Sequence, residues 1–154
     1  MAEDIYLKSQ DIVSQPWERA IVDIVIPFHG QYDRVGRLID SIFRTTFSNP
    51  FRIILIDDAS PNAEFMTKLE KEMVEKLKIN NIRFLRNSKQ KGFGGSCFEG
   101  FKVSEEDHKT KPEGFRYPYV CLLQSDCIVE DINWLKSLYM TCENNRQNGV
   151  KFVS

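Results

Sequence analysis

Ile21-Val22-Asp23-Ile24-Val25-Ile26-Pro27-Phe28-His29-Gly30 is the stretch whose reading decides the fold. Its first six residues are nearly continuous, β-branched and apolar, and Pro27 stops them. A run of that kind, without apolar–polar alternation, reads as a strand buried on both faces. Downstream, Val35, Leu38, Ile39, Ile42 and Phe43 recur at helical spacing and draw one apolar stripe, with Asp33 as the expected N-cap. Arg52-Ile53-Ile54-Leu55-Ile56 repeats the strand signal and ends at Asp57-Asp58. Ser60-Pro61 is expected to open a second helix, striped by Met66, Leu69, Met73 and Leu77 and broken at Asn80-Asn81.

The alternation continues. Ile82-Arg83-Phe84-Leu85 is a short third strand, and residues 92–103 read as a glycine-rich turn into a short helix. Residues 104–118 are expected to form a polar loop, and Tyr119-Val120-Cys121-Leu122-Leu123 a fourth strand. Leu135, Leu138, Tyr139 and Cys142 mark a further helix capped by Asp131, and Val150-Lys151-Phe152-Val153 begins a fifth strand. Strands alternating with helices predict an α/β fold: a mainly parallel sheet with helices on both faces. Residues 1–18 read as a polar arm and residues 19–154 as one domain.

Composition narrows the function classes. With 42% apolar and 28% charged residues, wholesale disorder is excluded, and a net charge of −1 supplies no drive toward nucleic acid or an acidic membrane. No apolar run reaches the ~18 residues of a transmembrane segment. Cys97, Cys121, Cys127 and Cys142 form no C-x-x-C pair and only two histidines accompany them, which disfavours a structural zinc site. The start, Met1-Ala2-Glu3-Asp4, lacks the basic and apolar parts of a signal peptide. These features lead to the expectation of a cytoplasmic, reduced domain whose thiols pack.

In open α/β sheets ligands bind outside the carboxyl ends of the strands. Those ends carry Pro27-Phe28-His29-Gly30, then Asp57-Asp58-Ala59-Ser60, then Asn87 through Ser96 with Gly92, Gly94 and Gly95, then Gln124-Ser125-Asp126-Cys127. Each element also has a structural reading. The acid pair can cap a helix, Asp126 can serve a turn, the glycines can serve chain reversal, and His29 can be a structural histidine. Their recurrence at one predicted edge carries the functional reading. Carboxylates beside a backbone-rich turn suit a divalent cation that bridges to phosphate oxygens. The turn is not a dinucleotide fingerprint, because Gly92-Phe93-Gly94 follows the third strand and Cys97 stands where the last glycine belongs; no G-x-x-x-x-G-K-[ST] occurs either.

Val22 to Pro27, Ile54 to Ser60, Gly92 to Ser96 and Leu123 to Asp126, with Trp134-Leu135 downstream, resemble in order the nucleotide-sugar-binding half of family-2 glycosyltransferases with the GT-A fold. The resemblance implies that Pro27 and Phe28 line a nucleobase pocket, that Asp57 and Asp58 contact the base and ribose, and that the turn from Gly92 through Gly94 and Gly95 packs on the nucleoside, with Ser125 beside it. It implies that Asp126, the last acid of a D-x-D motif, holds Mg²⁺ or Mn²⁺ on the donor diphosphate, and that transfer to an acceptor inverts the anomeric centre. Gln124 replaces the first acid of that motif, and Phe98 stands where many relatives carry a polar residue. Nothing in the sequence matches the family's acceptor-side base, so the chain reads as part of a longer enzyme or as a subunit needing a partner. Val150, Phe152 and Val153 lead to the expectation of a homodimer through an open strand edge. Two alternatives remain: a non-catalytic nucleotide-sugar-binding module, and a sugar-nucleotide pyrophosphorylase, which would want a basic glycine-rich loop after the first strand.

Overall fold

The computed structural model describes residues 20–46, 50–112 and 119–146. Among the described residues four parallel strands form one sheet: β1 (Val22–Phe28), β2 (Phe51–Asp57), β3 (Ile82–Arg86) and β4 (Tyr119–Leu122), in the order β3-β2-β1-β4. Every residue of β1 and β2 is buried, as the unbroken apolar runs require of strands covered on both faces. Helices α1 (Tyr32–Thr45), α2 (Glu64–Glu70, continued by a π-helical turn over Lys71–Lys76), α3 (Gly92–His108) and α4 (Trp134–Asn145) complete the described elements.

The two faces have separate cores. Ile24, Ile26, Ile53 and Leu55 pack with Val35, Leu38 and Ile42 of α1, Met66 and Leu69 of α2, and Leu135 of α4. On the other face Val25, Ile54 and Ile56 pack with Val103 of α3 and Leu85. Contact on this second face is close. A Cβ on Gly100 would come within 2.6 Å of Val25 Cγ1 and 2.8 Å of Ile56 Cδ1, so only glycine lets α3 lie this low. At the edge strand β4 the pattern alternates: Tyr119 and Cys121 join the core, while Val120 and Leu122 are exposed.

Four boundaries differ from expectation. Asp33 does not cap α1; it lies in the first turn, behind a Gln31 N-cap with left-handed backbone (φ 53°). The second helix begins at Glu64 rather than Ser60-Pro61. Ser60 is committed elsewhere, accepting from Gly30 N–H at 2.7 Å, and Asn62 Oδ1 accepts the Glu64 N–H at 3.1 Å instead. Asp131 accepts from Asn133 N–H at 2.8 Å, but Asn133 is the N-cap of α4. The polar loop expected from Ser104 is helical as far as His108, because Ser104, Asp107 and His108 all find partners beneath α3. The arm over 1–18, residues 113–118 of the expected loop and the strand at Val150–Val153 lie outside the described residues. Among the described residues no helix is long and apolar enough to cross a membrane.

Candidate nucleotide site

Strand order sets the location. From β1 the chain steps outward to β2 and β3, then returns across the sheet to place β4 on β1's other side. The carboxyl ends of β1 and β4 therefore flank a topological switch point, where open α/β sheets take their ligands. A cavity of roughly 230 Å³ opens there, lined by Pro27, Phe28, His29, Gln31, Asp58, Gln90, Gly92, Phe93, Ser96 and Ser125. That is smaller than the about 300–1,000 Å³ of pockets that enclose a whole drug-sized ligand. It suits one part of a larger molecule, with the remainder lying outside.

Of the residues singled out in the sequence, Pro27, Phe28, Asp58, Gly92 and Ser125 line this cavity. Asp57 does not: it is fully buried, and its carboxylate accepts the Ser60 N–H at 2.8 Å and pairs with Arg86. Arg86 also donates to the Ser60 carbonyl at 2.9 Å, so Asp57 and Arg86 together clamp the loop after β2. Gly94 and Gly95 lie in the first turn of α3 but not in the cavity wall; a Cβ on Gly95 would meet Lys91 Cβ at 2.7 Å. Asp126 is exposed, one residue beyond Ser125.

Asp58 is 4% exposed and holds the start of α3. Its Oδ1 accepts from Asn87 Nδ2 and Lys91 N–H, and its Oδ2 from Gly92 N–H, each at 2.8 Å. Burial raises the pKa of this carboxyl; the bonds from Lys91, Asn87, Ser96 and Gly92 outweigh that and hold it below its ordinary value. Asn87 Nδ2 also reaches Ser96 Oγ at 2.9 Å. Asp58 thus does hold a helix start, but that of α3 rather than of the helix that follows the acid pair, while Asp57 serves the loop.

Arg86, Gln31 and Gln90 were not singled out from the sequence, and Asn87 and Phe93 were named only as members of the stretch after the third strand. Arg86-Asn87 closes β3 as Asp57-Asp58 closes β2, and Asp57 pairs in register with Arg86. That repetition of a polar pair at a strand end was the available signal. The thiols behave as packing groups: Cys97 is buried, and burial, followed by neighbouring Cys142, pushes Cys121 up to about 11.

Among the described residues no three His, Cys, Asp or Glu side chains gather as a metal-ligand cluster. Asp126, exposed and next in sequence to Ser125 of the cavity wall, offers a hard carboxylate donor, which fits a cation that takes its remaining ligands from phosphate and water.

Sheet order, switch-point cavity and helix cover define a GT-A-like α/β domain. The sequence profile of glycosyl transferase family 2 matches residues 23–153, and the chain belongs to that family. Similar solved structures include S. aureus TarS 1–349 (16% identity, TM-score 0.54, 81% of this chain and 33% of that one). The same protein in complex with UDP-GlcNAc gives 15% identity, a TM-score of 0.53, and 81% and 32% coverage. GalNAc-T7 with UDP, GalNAc and Mn²⁺ gives 19% identity, a TM-score of 0.61, and 82% and 22% coverage. The chain thus spans at most a third of the length of these proteins. No curated protein sequence matches it.

Proposed function

We propose that this chain is the donor-binding part of a glycosyltransferase, taking a nucleoside-diphosphate sugar for transfer to an acceptor. The carrying observation is the cavity at the β1–β4 switch point, with Phe28 and Phe93 supplying aromatic wall and Asp58, Ser96 and Ser125 supplying polar groups. A 230 Å³ hollow matches a nucleoside better than a whole nucleotide sugar, so the diphosphate and sugar project outward past Ser125. Asp126, which follows Ser125, is then the carboxylate we assign to a cation on that diphosphate. Similar structures carry UDP-GlcNAc, or UDP with Mn²⁺, which supports a nucleotide sugar and a divalent ion as this site's ligands.

Asp126 would hold Mg²⁺ or Mn²⁺ through a carboxylate oxygen, with Gln124 able to add only a neutral amide oxygen. Such an ion supplies charge neutralisation for a departing diphosphate. Asp57 and Arg86 fix the loop after β2, and Asp58 fixes the first turn of α3, so the cavity walls are set before the ligand enters. The family resemblance implies inversion at the anomeric centre, with the base contributed from the acceptor side.

Calorimetry tests the reading. A nucleoside diphosphate binds more tightly with Mn²⁺ or Mg²⁺ than with chelator, and Asp126→Ala removes the difference; equal affinity in both conditions overturns the metal role. Gln124 favours a second reading, a binding module without turnover. Incubation with nucleotide sugars separates the two: release of nucleoside diphosphate marks the enzyme, tight binding without release the module. A homodimer, with cytoplasmic residence, remains part of the proposal. Its support among the described residues is the edge strand β4 with Val120 and Leu122 exposed, and light scattering over a concentration series checks it.

A further inference from the structure

Two buried hydroxyls outside the cavity wall hold the segment that carries Asp126. Ser41 lies in α1, and Thr46 caps its carboxyl end. Ser41 Oγ accepts the Val129 N–H at 3.0 Å, and Thr46 Oγ1 accepts the Trp134 Nε1–H at 2.8 Å. Each bond joins residues 88 apart in sequence, so five residues along α1 answer five residues beyond β4. Ser41 donates its own proton to the Leu38 carbonyl at 2.7 Å, which leaves its oxygen to accept from Val129.

On the other side of Asp126 the Leu123 N–H donates to the Val25 carbonyl at 3.0 Å and ties the chain to β1. Between the ties at Leu123 and Val129 the chain turns, with the Cys127 N–H donating to the Gln124 carbonyl at 3.2 Å. Leu123, Ser125, Cys127 and Val129 are half-buried through this stretch, whereas Gln124, Asp126 and Ile128 are exposed. Cys127, Val129 and Trp134 pack against the core to which α1 contributes Leu38 and Ile42. Asp126 therefore stands on a short turn pinned before it by the sheet and after it by α1. The Val129 tie sets where that turn ends.

We propose that Ser41 and Thr46 are positioning residues for Asp126: their hydroxyls fix the segment after the turn, so that the carboxylate is offered to a divalent cation at one place. The inference rests on the metal role assigned to Asp126 above. With Gln124 neutral, that carboxylate is the one charged ligand of its motif, and no second acid makes up for its displacement. Groups that orient a metal ligand from behind are worth about 10–100-fold in metal affinity. The cavity walls at Phe28, Asp58 and Phe93 belong to segments that Ser41 and Thr46 do not hydrogen-bond, so binding of the nucleoside without metal is left intact.

The test uses the full chain and calorimetry with uridine diphosphate, in Mn²⁺ and in chelator; the ratio of the two affinities is the metal gain. Ser41→Ala is expected to reduce that gain about fivefold or more while affinity in chelator stays within about twofold. Thr46→Val, which keeps the shape and removes the acceptor, is expected to act in the same direction. Ser41→Thr and Thr46→Ser, which keep the hydroxyls, are expected to retain the gain. Full metal gain in Ser41→Ala overturns the proposal, and so does equal weakening in Mn²⁺ and in chelator, which marks a loss of fold rather than of position. Should Ser41→Ala fail to fold, Thr46→Val decides by the same two criteria. An unsubstituted protein that binds equally in both conditions overturns the metal role of Asp126 and this proposal together. Absence of binding in either condition overturns the nucleotide reading as well.

Discussion

At the amino ends of β1 and β2, Asp23 and Arg52 are 0% and 2% exposed; at the carboxyl end of β2, Asp57 and Asp58 are 0% and 4% exposed. The partners differ. Arg52 donates to Asp23 from Nε at 3.0 Å and Nη2 at 2.7 Å, and from Nη1 to Asp107 at 2.6 Å, while Arg83 meets Asp107 at 2.7 Å. Ser104 donates to Asp23 at 2.7 Å. There charge is closed on charge, side chain to side chain. At the other end Asp58 is satisfied chiefly by main-chain N–H groups of the α3 start and by neutral Asn87, and a hollow opens beside it. Both clusters grip α3, one near each end. Equal burial therefore separates nothing; what distinguishes the candidate site is that its buried acid organises backbone around an empty volume.

The comparison breaks most visibly at Arg52. Arg52→Ala strands Asp23 without its bidentate partner, and removal of one member of a buried pair costs about 3–5 kcal/mol. Chemical denaturation should show that loss, while nucleoside diphosphate affinity in the folded fraction stays at its unsubstituted value; a matching loss of affinity would show that the two ends are not separable. Gly100 lies between them. Gly100→Ala forces a methyl against Val25 and Ile56, and overpacking of this sort costs about 1–3 kcal/mol. Because the α3 start must then move, this variant should lose both stability and nucleotide affinity, which titration of each checks.

The smallest expected effect is a pH response confined to the amino end. Burial depresses His108, the Asp23 charge pulls it back and Lys111 and Arg52 oppose protonation, and the net shift is below the ordinary 6.5. The folded state therefore favours neutral His108. Its contribution is complete above pH 6.5 and is lost as pH falls, since the unfolded chain then binds the extra proton more readily. Melting temperatures between pH 6.5 and 5 should fall less steeply in His108→Gln than in the unsubstituted protein; identical slopes would remove His108 from the account. Asp23 and Asp58 are both held below the ordinary carboxylate value of 3.8, so they stay ionised across that window.

Much of the architecture was legible because burial on both faces leaves an unmistakable run: Val22 to Ile26 and Ile53 to Ile56 admit little but central strands. The convergence of Pro27, Asp58, Gly92 and Ser125 followed from strand direction alone. What escaped was long-range. Nothing local shows that Ser104 to His108 would stay helical, because the groups that hold them, Asp23 and Arg52, lie far away in sequence. Ser60 looked like a helix opener until Gly30 claimed its hydroxyl. Asp57 and Asp58 looked alike, yet one faces inward to Arg86 and the other lines the hollow, a difference of one residue's direction along the chain.

The Ser104–Asp23 bond joins residues 81 apart in sequence. Closing a loop of that length is entropically costly early in folding, and contacts of wide sequence separation form late in many domains. The β1–β2 pairing, with α1 between its strands, needs a far shorter loop. The order that follows is a hydrophobic half-sheet first and α3 afterwards. The hollow is walled by the first turn of α3 and by Ser125 beyond β4, whose pairing with β1 spans still more of the chain, so it comes into being only with these later contacts. A nucleotide then has nothing to hold in the transition state for folding, and its stabilisation is felt as slower unfolding: ligand binding should lengthen the lifetime of the native chain without hastening its arrival.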